Sequence, residues 1–184
     1  DRYRMVDDAS DADILIVNTC GFIDAAKEES IDTILQMAKY KETGSCKKMI
    51  LSGCLAQRYP EELLKEIPEA DGIIGTGNIS QINDILDRSI DGERVIKVDN
   101  INSPYLEGIK KEKVNITEYV KISEGCNNNC SYCIIPKLRG KNRSRRIEDI
   151  YEEVSYLAKN GAREIILIAQ NTTDYGIDLY GRYS

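Results

Sequence analysis

Short apolar runs that alternate with charged amphipathic stretches dominate residues 13–98 and leave the chain few folds to choose from. Asp13 to Cys20 (DILIVNTC) is apolar enough to predict a strand buried on both faces. Residues 24–41 follow with helical spacing, Ala26, Ser30, Ile34 and Ala38 on one face and charges opposite. Met49 to Cys54 predicts a second buried strand. Tyr59-Pro60-Glu61-Glu62 opens another helix, with proline in the first turn and acids at the N-terminus. Asp71 to Gly75 predicts a third strand, 79–90 a helix and 94–98 a last short strand. This rhythm implies a parallel sheet with helices on both faces, a doubly wound α/β domain.

The pattern dissolves from Asp99 to about Asn115 into Asn, Ser, Pro, Gly and a Lys/Glu cluster, which reads as a linker between domains. A new strand is predicted at 116–123, running into a cysteine-rich loop. A helix from about Ile147 to Asn160, ended by Gly161, and a buried strand from Glu164 to Gln170 come next. The domains expected are therefore 1–98, a linker at 99–115, and 116–184. Two strands of a β/α repeat cannot enclose a barrel, so the second domain is expected to be the start of a longer one.

Composition narrows the chemistry. The chain contains no histidine, which removes the commonest general acid–base. A net charge of −6 provides no overall polyanion-binding surface. No apolar stretch approaches the ~18 residues of a membrane-spanning helix. With nothing at residues 1–8 resembling a secretory signal, the six cysteines read as cytosolic thiols available for metal. Chemistry in such a chain must come from cofactors.

Three of those cysteines stand together as Cys126-Asn-Asn-Asn-Cys130-Ser-Tyr-Cys133. Three thiolates from one loop fall one short of the four that a closed zinc site or an ordinary iron–sulfur cluster requires. A [4Fe–4S] cluster held this way leaves one iron open to a small molecule. A zinc knuckle completed from elsewhere and a disulfide framework are the alternatives. Cys20 and Cys54 each end a predicted parallel strand, and in such a sheet those ends open on one edge, where ligands bind. Strands ~4.8 Å apart place both thiols within reach of one cofactor; simple packing is the competing explanation, since free cysteines are often buried. Cys46 lies in a polar loop and reads as incidental. The six basic residues from Lys137 to Arg146 are either an anion-attracting surface or a solvated loop.

Asn18-Thr19-Cys20-Gly21-Phe22-Ile23-Asp24-Ala25-Ala26-Lys27-Glu28-Glu29-Ser30, Gly53 to Tyr59, and Ser123-Glu124-Gly125-Cys126 through Pro136 resemble the radical S-adenosylmethionine (SAM) methylthiotransferases over nearly the whole chain. The resemblance implies a methylthiotransferase domain, with its first strand absent here, followed by the first β/α units of a partial TIM barrel. It implies two [4Fe–4S] clusters. One is bound by Cys126, Cys130 and Cys133 and carries SAM on its open iron. The other is auxiliary, bound by Cys20, Cys54 and a third cysteine not in this sequence. SAM cleavage at the first cluster yields a radical that abstracts hydrogen, and the auxiliary cluster delivers a methylated sulfur. Tyr132 is implied to lie against bound SAM, and no catalytic residue is implied beyond the cluster ligands.

Residues 21–28 and Ala169 to Tyr180 are similar to the branch that modifies the β-carbon of an aspartate in a small-subunit ribosomal protein, with the ribosome a possible setting. The alternatives are the branch that modifies a tRNA adenosine and a non-catalytic electron-transfer module. Implied with the family are a flavodoxin or ferredoxin as electron donor, a cytoplasmic location and no membrane partner. The piece alone is expected to be inactive. Asn171 and Arg146 depart from the usual pattern.

Overall fold

The computed structural model describes residues 3–99 and 101–181, which form two compact units, Asp1–Ile101 and Asn102–Ser184. In the first, a 3-10 turn at Ala9–Asp11 leads into β1 (Ile14–Thr19) and the long helix α1 (Asp24–Ala38), with a single turn α2 (Tyr40–Thr43) behind it. Then come β2 (Lys48–Gly53), α3 (Cys54–Arg58), α4 (Pro60–Glu66), β3 (Gly72–Ile74), α5 (Ile82–Ile90) and β4 (Val95–Lys97). The four strands form one all-parallel sheet in the order β1-β2-β3-β4.

Side-chain alternation along the strands divides the core into two layers. Leu15, Val17, Met49, Leu51 and Ile73 point to one face and pack with Ile34 of α1, Leu55 of α3 and Leu63 and Leu64 of α4. Ile50, Ile74 and Val95 point to the other and pack with Ile85 and Leu86 of α5. The expected parallel sheet with helices on both faces is therefore present. Its strands follow chain order from β1 at one edge to β4 at the other.

β1 departs from expectation, because one of its faces is only partly covered. Leu15, Val17 and Thr19 are buried, whereas Ile16 is 49% exposed. α5 packs against β2, β3 and β4, and on that side of β1 Ile14 is half-buried against the same cluster. α1 presents the expected stripe, with Ser30 and Ile34 buried and Ala26 and Ala38 half-buried beside them. Asp71 stitches the lower edge of the sheet. Its carboxylate accepts from the Met49 amide at 2.8 Å and pairs with Lys41 at 2.5 Å and Lys48 at 3.5 Å.

The second unit begins earlier than the linker expectation placed it. Tyr105, Glu107 and Lys111, in the stretch expected to be linker, are held by side-chain contacts to Arg145 and Glu118. β5 (Thr117–Lys121) is followed by β6 (Ser123–Glu124), α6 (Ile135–Arg139) and β7 (Arg143–Ser144). After these come α7 (Ile147–Lys159), β8 (Glu164–Ile168), a 3-10 turn at Thr172–Asp174 and α8 (Ile177–Tyr180). β5 and β8 pair in parallel, joined by a crossover that contains α7, and α7 packs on Val120 and Ile165. β8 was expected to be buried, yet Leu167 and Ile168 are exposed. A two-stranded parallel pair has cover on one face only, and a barrel interior needs more strands than these.

Candidate metal centre

The three-cysteine loop leaves the end of β6 through Gly125 and returns through α6 to β7, which pairs antiparallel with β6. Gly125 adopts φ 81°, and a Cβ there would lie 2.2 Å from the Lys141 carbonyl oxygen, so only glycine fits. Its amide donates to Gln170 Oε1 at 2.9 Å, just beyond the end of β8. The next amide, that of Cys126, donates to the Gly140 carbonyl at 3.1 Å. Asn127 Oδ1 accepts from the Asn142 amide at 3.0 Å. Further on, the Cys133 amide donates to the Cys130 carbonyl at 3.0 Å and closes a turn that carries two of the thiols. Cys126 is buried, Cys130 exposed and Cys133 half-buried.

The segment after β8 is laced into the same loop system. Asp178 accepts from the Ser144 amide at 2.8 Å and from Asn142 Nδ2 at 3.4 Å, and Gly176 donates its amide to Ser144 Oγ at 2.9 Å. Asn142 is buried, and its Oδ1 has no hydrogen-bond partner. Gln170, Asn142 and Asp178 were not legible as site residues. Each acts across 32 residues or more of sequence, and no local pattern announces such a bond.

Half of the basic run turns inward. Arg145 is 4% exposed and is gripped by Glu107, by Glu153 at 2.5 Å and by the Lys121 carbonyl at 2.8 Å, with its guanidinium 4.4 Å from the Tyr105 ring centre. Burial opposes its charge, but the hydrogen bonds and charges of Glu107 and Glu153 outweigh burial and raise its pKa further. Arg143 donates to the carbonyls of Arg139 and Lys141, and burial lowers its pKa from the usual arginine value. Arg139 pairs with Glu124 at 3.5 Å. A purely solvated loop is thus excluded for these three, and so is a fully outward-facing anion site. Tyr132 is exposed, and its phenol is held above the ordinary range chiefly by the charge of Cys130 and by a hydrogen bond to that thiol.

In the first unit the register pairs Thr19 with Gly53, so Cys20 and Cys54 directly follow neighbouring strands at one edge of the sheet. The two turns are tied together. Thr19 Oγ1 donates to the Ser52 carbonyl at 2.5 Å and accepts from the Ala56 amide at 3.2 Å, and Arg58 donates to the Gly21 carbonyl at 3.3 Å. Gly53, at φ 97°, would drive a Cβ to 2.3 Å from the Thr19 carbonyl oxygen, which accounts for a glycine before Cys54. Ser30 accepts from the Cys20 amide at 2.9 Å. Cys20 is exposed and Cys54 buried. Cys46 precedes β2 at the opposite edge, where its buried thiol donates to the Lys48 carbonyl and burial pushes its pKa up.

The donor chemistry suits a thiolate-held group. Three cysteines lie on one loop with neither histidine nor carboxylate between them. Among the described residues, no three His, Cys, Asp or Glu side chains are gathered closely enough to hold a metal ion as they stand. Thiolates repel one another, so drawing them together is work that metal binding itself performs.

A family model for the radical SAM superfamily matches residues 120–183, and one described as uncharacterized protein family UPF0004 matches residues 1–75. A strand pair feeding a three-cysteine loop is thus the opening of a radical SAM domain, for which SAM and an iron–sulfur cluster are the cofactors. Over nearly its whole length the chain is similar to curated methylthiotransferases. It is 50% identical over 182 residues to the ribosomal protein uS12 methylthiotransferase RimO of Clostridioides difficile, covering 98% of this chain and 41% of that protein. The RimO of Lachnoclostridium phytofermentans is 49% identical, with 98% and 41% covered, and that of Desulforamulus reducens 51% identical, with 99% and 42% covered. The chain spans about two-fifths of the length of these relatives.

Proposed function

We propose that this chain is part of an enzyme that adds a methylthio group to the β-carbon of an aspartate in ribosomal protein uS12. Three thiols on one loop, with no other metal-binding side chain within it, carry this reading, and the likeness to RimO proteins selects the substrate. Cys126, Cys130 and Cys133 would hold the SAM-binding [4Fe–4S] cluster. Bound together, the cluster and SAM supply radical chemistry able to break an unactivated C–H bond, which no ionisable side chain here can do. The chain's own residues orient and shield. Gly125 admits the tight entry to the loop, and Gln170 and the Gly140 carbonyl hold the amides on either side of that entry. Cys20 and Cys54, at one sheet edge, are read as two ligands of a second [4Fe–4S] cluster that serves as the sulfur source. Tyr132, beside Cys130, is read as a neighbour of SAM. A cytoplasmic setting and a flavodoxin or ferredoxin as electron donor belong to the same proposal. Of the described helices, none is long and apolar enough to cross a membrane.

The test uses cells lacking the gene, complemented with the full-length protein or with its Cys130→Ala variant. Mass spectrometry of uS12 and of bulk tRNA follows. Methylthiolated aspartate in uS12 with the unaltered protein and none with the variant is expected. A methylthio group on tRNA adenosine alone would overturn the substrate. If neither is modified and the purified full-length protein fails to cleave SAM, an electron-transfer module becomes the better reading.

A further inference from the structure

We infer that Gln170 is a positioning residue for the three-cysteine loop, acting on Cys126 through the backbone of Gly125. Gly125 immediately precedes the first thiol. Its amide donates to Gln170 Oε1 at 2.9 Å, and the orientation of the Gln170 amide group is unambiguous because a backbone N–H only donates. The neighbouring Cys126 amide is held by the Gly140 carbonyl, so two consecutive peptide units at the loop entry are pinned from different elements. Of the three thiols in the loop, only that of Cys126 belongs to a buried residue, 8% exposed, while Cys130 is exposed. Gln170 sits just past β8, the strand paired with β5, so it transmits the position of the sheet to the loop. The assigned role is mechanical. Gln170 keeps the Cys126 thiol at one depth and angle, and it also occupies an amide that would otherwise be free to turn toward a cluster sulfur, a contact that tunes such clusters.

The placement of Cys126 is a property of the chain itself. Its consequence for a cluster rests on the cluster assignment above, and the two arms of the experiment separate them. In the first arm the full-length apoprotein is alkylated under native conditions, and mass spectrometry gives the rate at Cys126 relative to Cys130. Gln170→Leu should raise that ratio roughly five-fold, the factor that one net hydrogen bond is worth in an opening equilibrium. Gln170→Glu, which keeps an acceptor, should stay near the unaltered protein. Gln170→Asn, one methylene too short, should behave like Gln170→Leu, and it serves as the test if the leucine variant does not fold. In the second arm the reconstituted full-length protein is examined by electron paramagnetic resonance, with and without SAM. Gln170→Leu or Gln170→Asn should shift the reduced-cluster signal, and Gln170→Glu should restore it. An unchanged alkylation ratio in the leucine and asparagine variants, or a glutamate variant as perturbed as leucine, overturns the proposal. A raised ratio with an unchanged spectrum overturns the claim that the positioning reaches the cluster. If the unaltered protein takes up no iron, the cluster assignment fails while the alkylation arm still decides the role of Gln170.

Discussion

Replacing Arg145 with methionine should be the most costly change of a charged side chain in the second unit. Methionine keeps much of the aliphatic stem and deletes the guanidinium, which is 4% exposed and serves four partners at once. Removing one member of a fully buried ion pair costs about 3–5 kcal/mol. Here the stranded carboxylates of Glu107 and Glu153 are 30% and 27% exposed, so each rehydrates in part. At such half-open sites the pairing with each carboxylate is worth roughly 1–1.5 kcal/mol once screening is allowed for. The Lys121 carbonyl loses its side-chain donor, another ~0.5–1 kcal/mol, and the contact with Tyr105 contributes about 0.5–1 kcal/mol. The sum is about 3–5 kcal/mol. For a unit of this size, with an m-value of about 1–1.5 kcal/mol/M, it lowers the urea midpoint by roughly 2–5 M, enough to leave the unit unfolded in dilute buffer if its stability is ordinary. The assay is urea unfolding of the full-length protein, followed at tyrosines of the second unit. A triple variant, Arg145→Met with Glu107→Gln and Glu153→Gln, should recover part of the loss, because it strands no charge. A midpoint shift below about 0.5 M in the single variant, or no recovery in the triple, would refute the accounting.

Two further outcomes follow from particular contacts. Gly53→Ala should destabilise the first unit by about 3 kcal/mol or more, combining the strain of a backbone angle that alanine disfavours with a Cβ 2.3 Å from the Thr19 carbonyl; a loss below about 1 kcal/mol in urea unfolding would contradict it. Glu118 accepts from the Asn115 amide at 2.8 Å and pairs with Lys111, and these hold its pKa below the ordinary carboxylate value. A depressed folded-state pKa means the stabilisation is present above the unfolded value near pH 4 and is lost as pH falls through the folded one. Glu118→Gln should accordingly flatten the acid side of the stability profile between about pH 5 and pH 2, and an unchanged slope there would count against the assignment.

Much of the architecture was readable because it depends on local periodicity. The strand positions, the buried stripe of α1, the proline opening α4 and the separation into two units all follow from spacing and turn chemistry that a linear chain displays. The cysteine triad was equally plain, since three thiols within eight residues need no tertiary information to be seen as one set. What the chain order alone left open was how distant segments meet. How fully the second face of β1 is covered depends on where α5 comes to rest, and the order of strands depends on which edges pair. Residues 99–115 read as linker by composition, yet Tyr105, Glu107 and Lys111 belong to the second unit through partners up to 40 positions away. The basic run looked uniform in sequence, and only folding separated Arg139, Arg143 and Arg145, turned inward, from the rest. Gln170, Asn142 and Asp178 gain their roles at the cysteine loop from single hydrogen bonds between segments far apart in sequence. Periodicity records which face of an element is apolar, so the sequence determined the elements and the grouping of three thiols on one loop. A hydrogen bond between remote segments exists only once the chain has closed its loops, so the positioning of those thiols was decided by the tertiary structure.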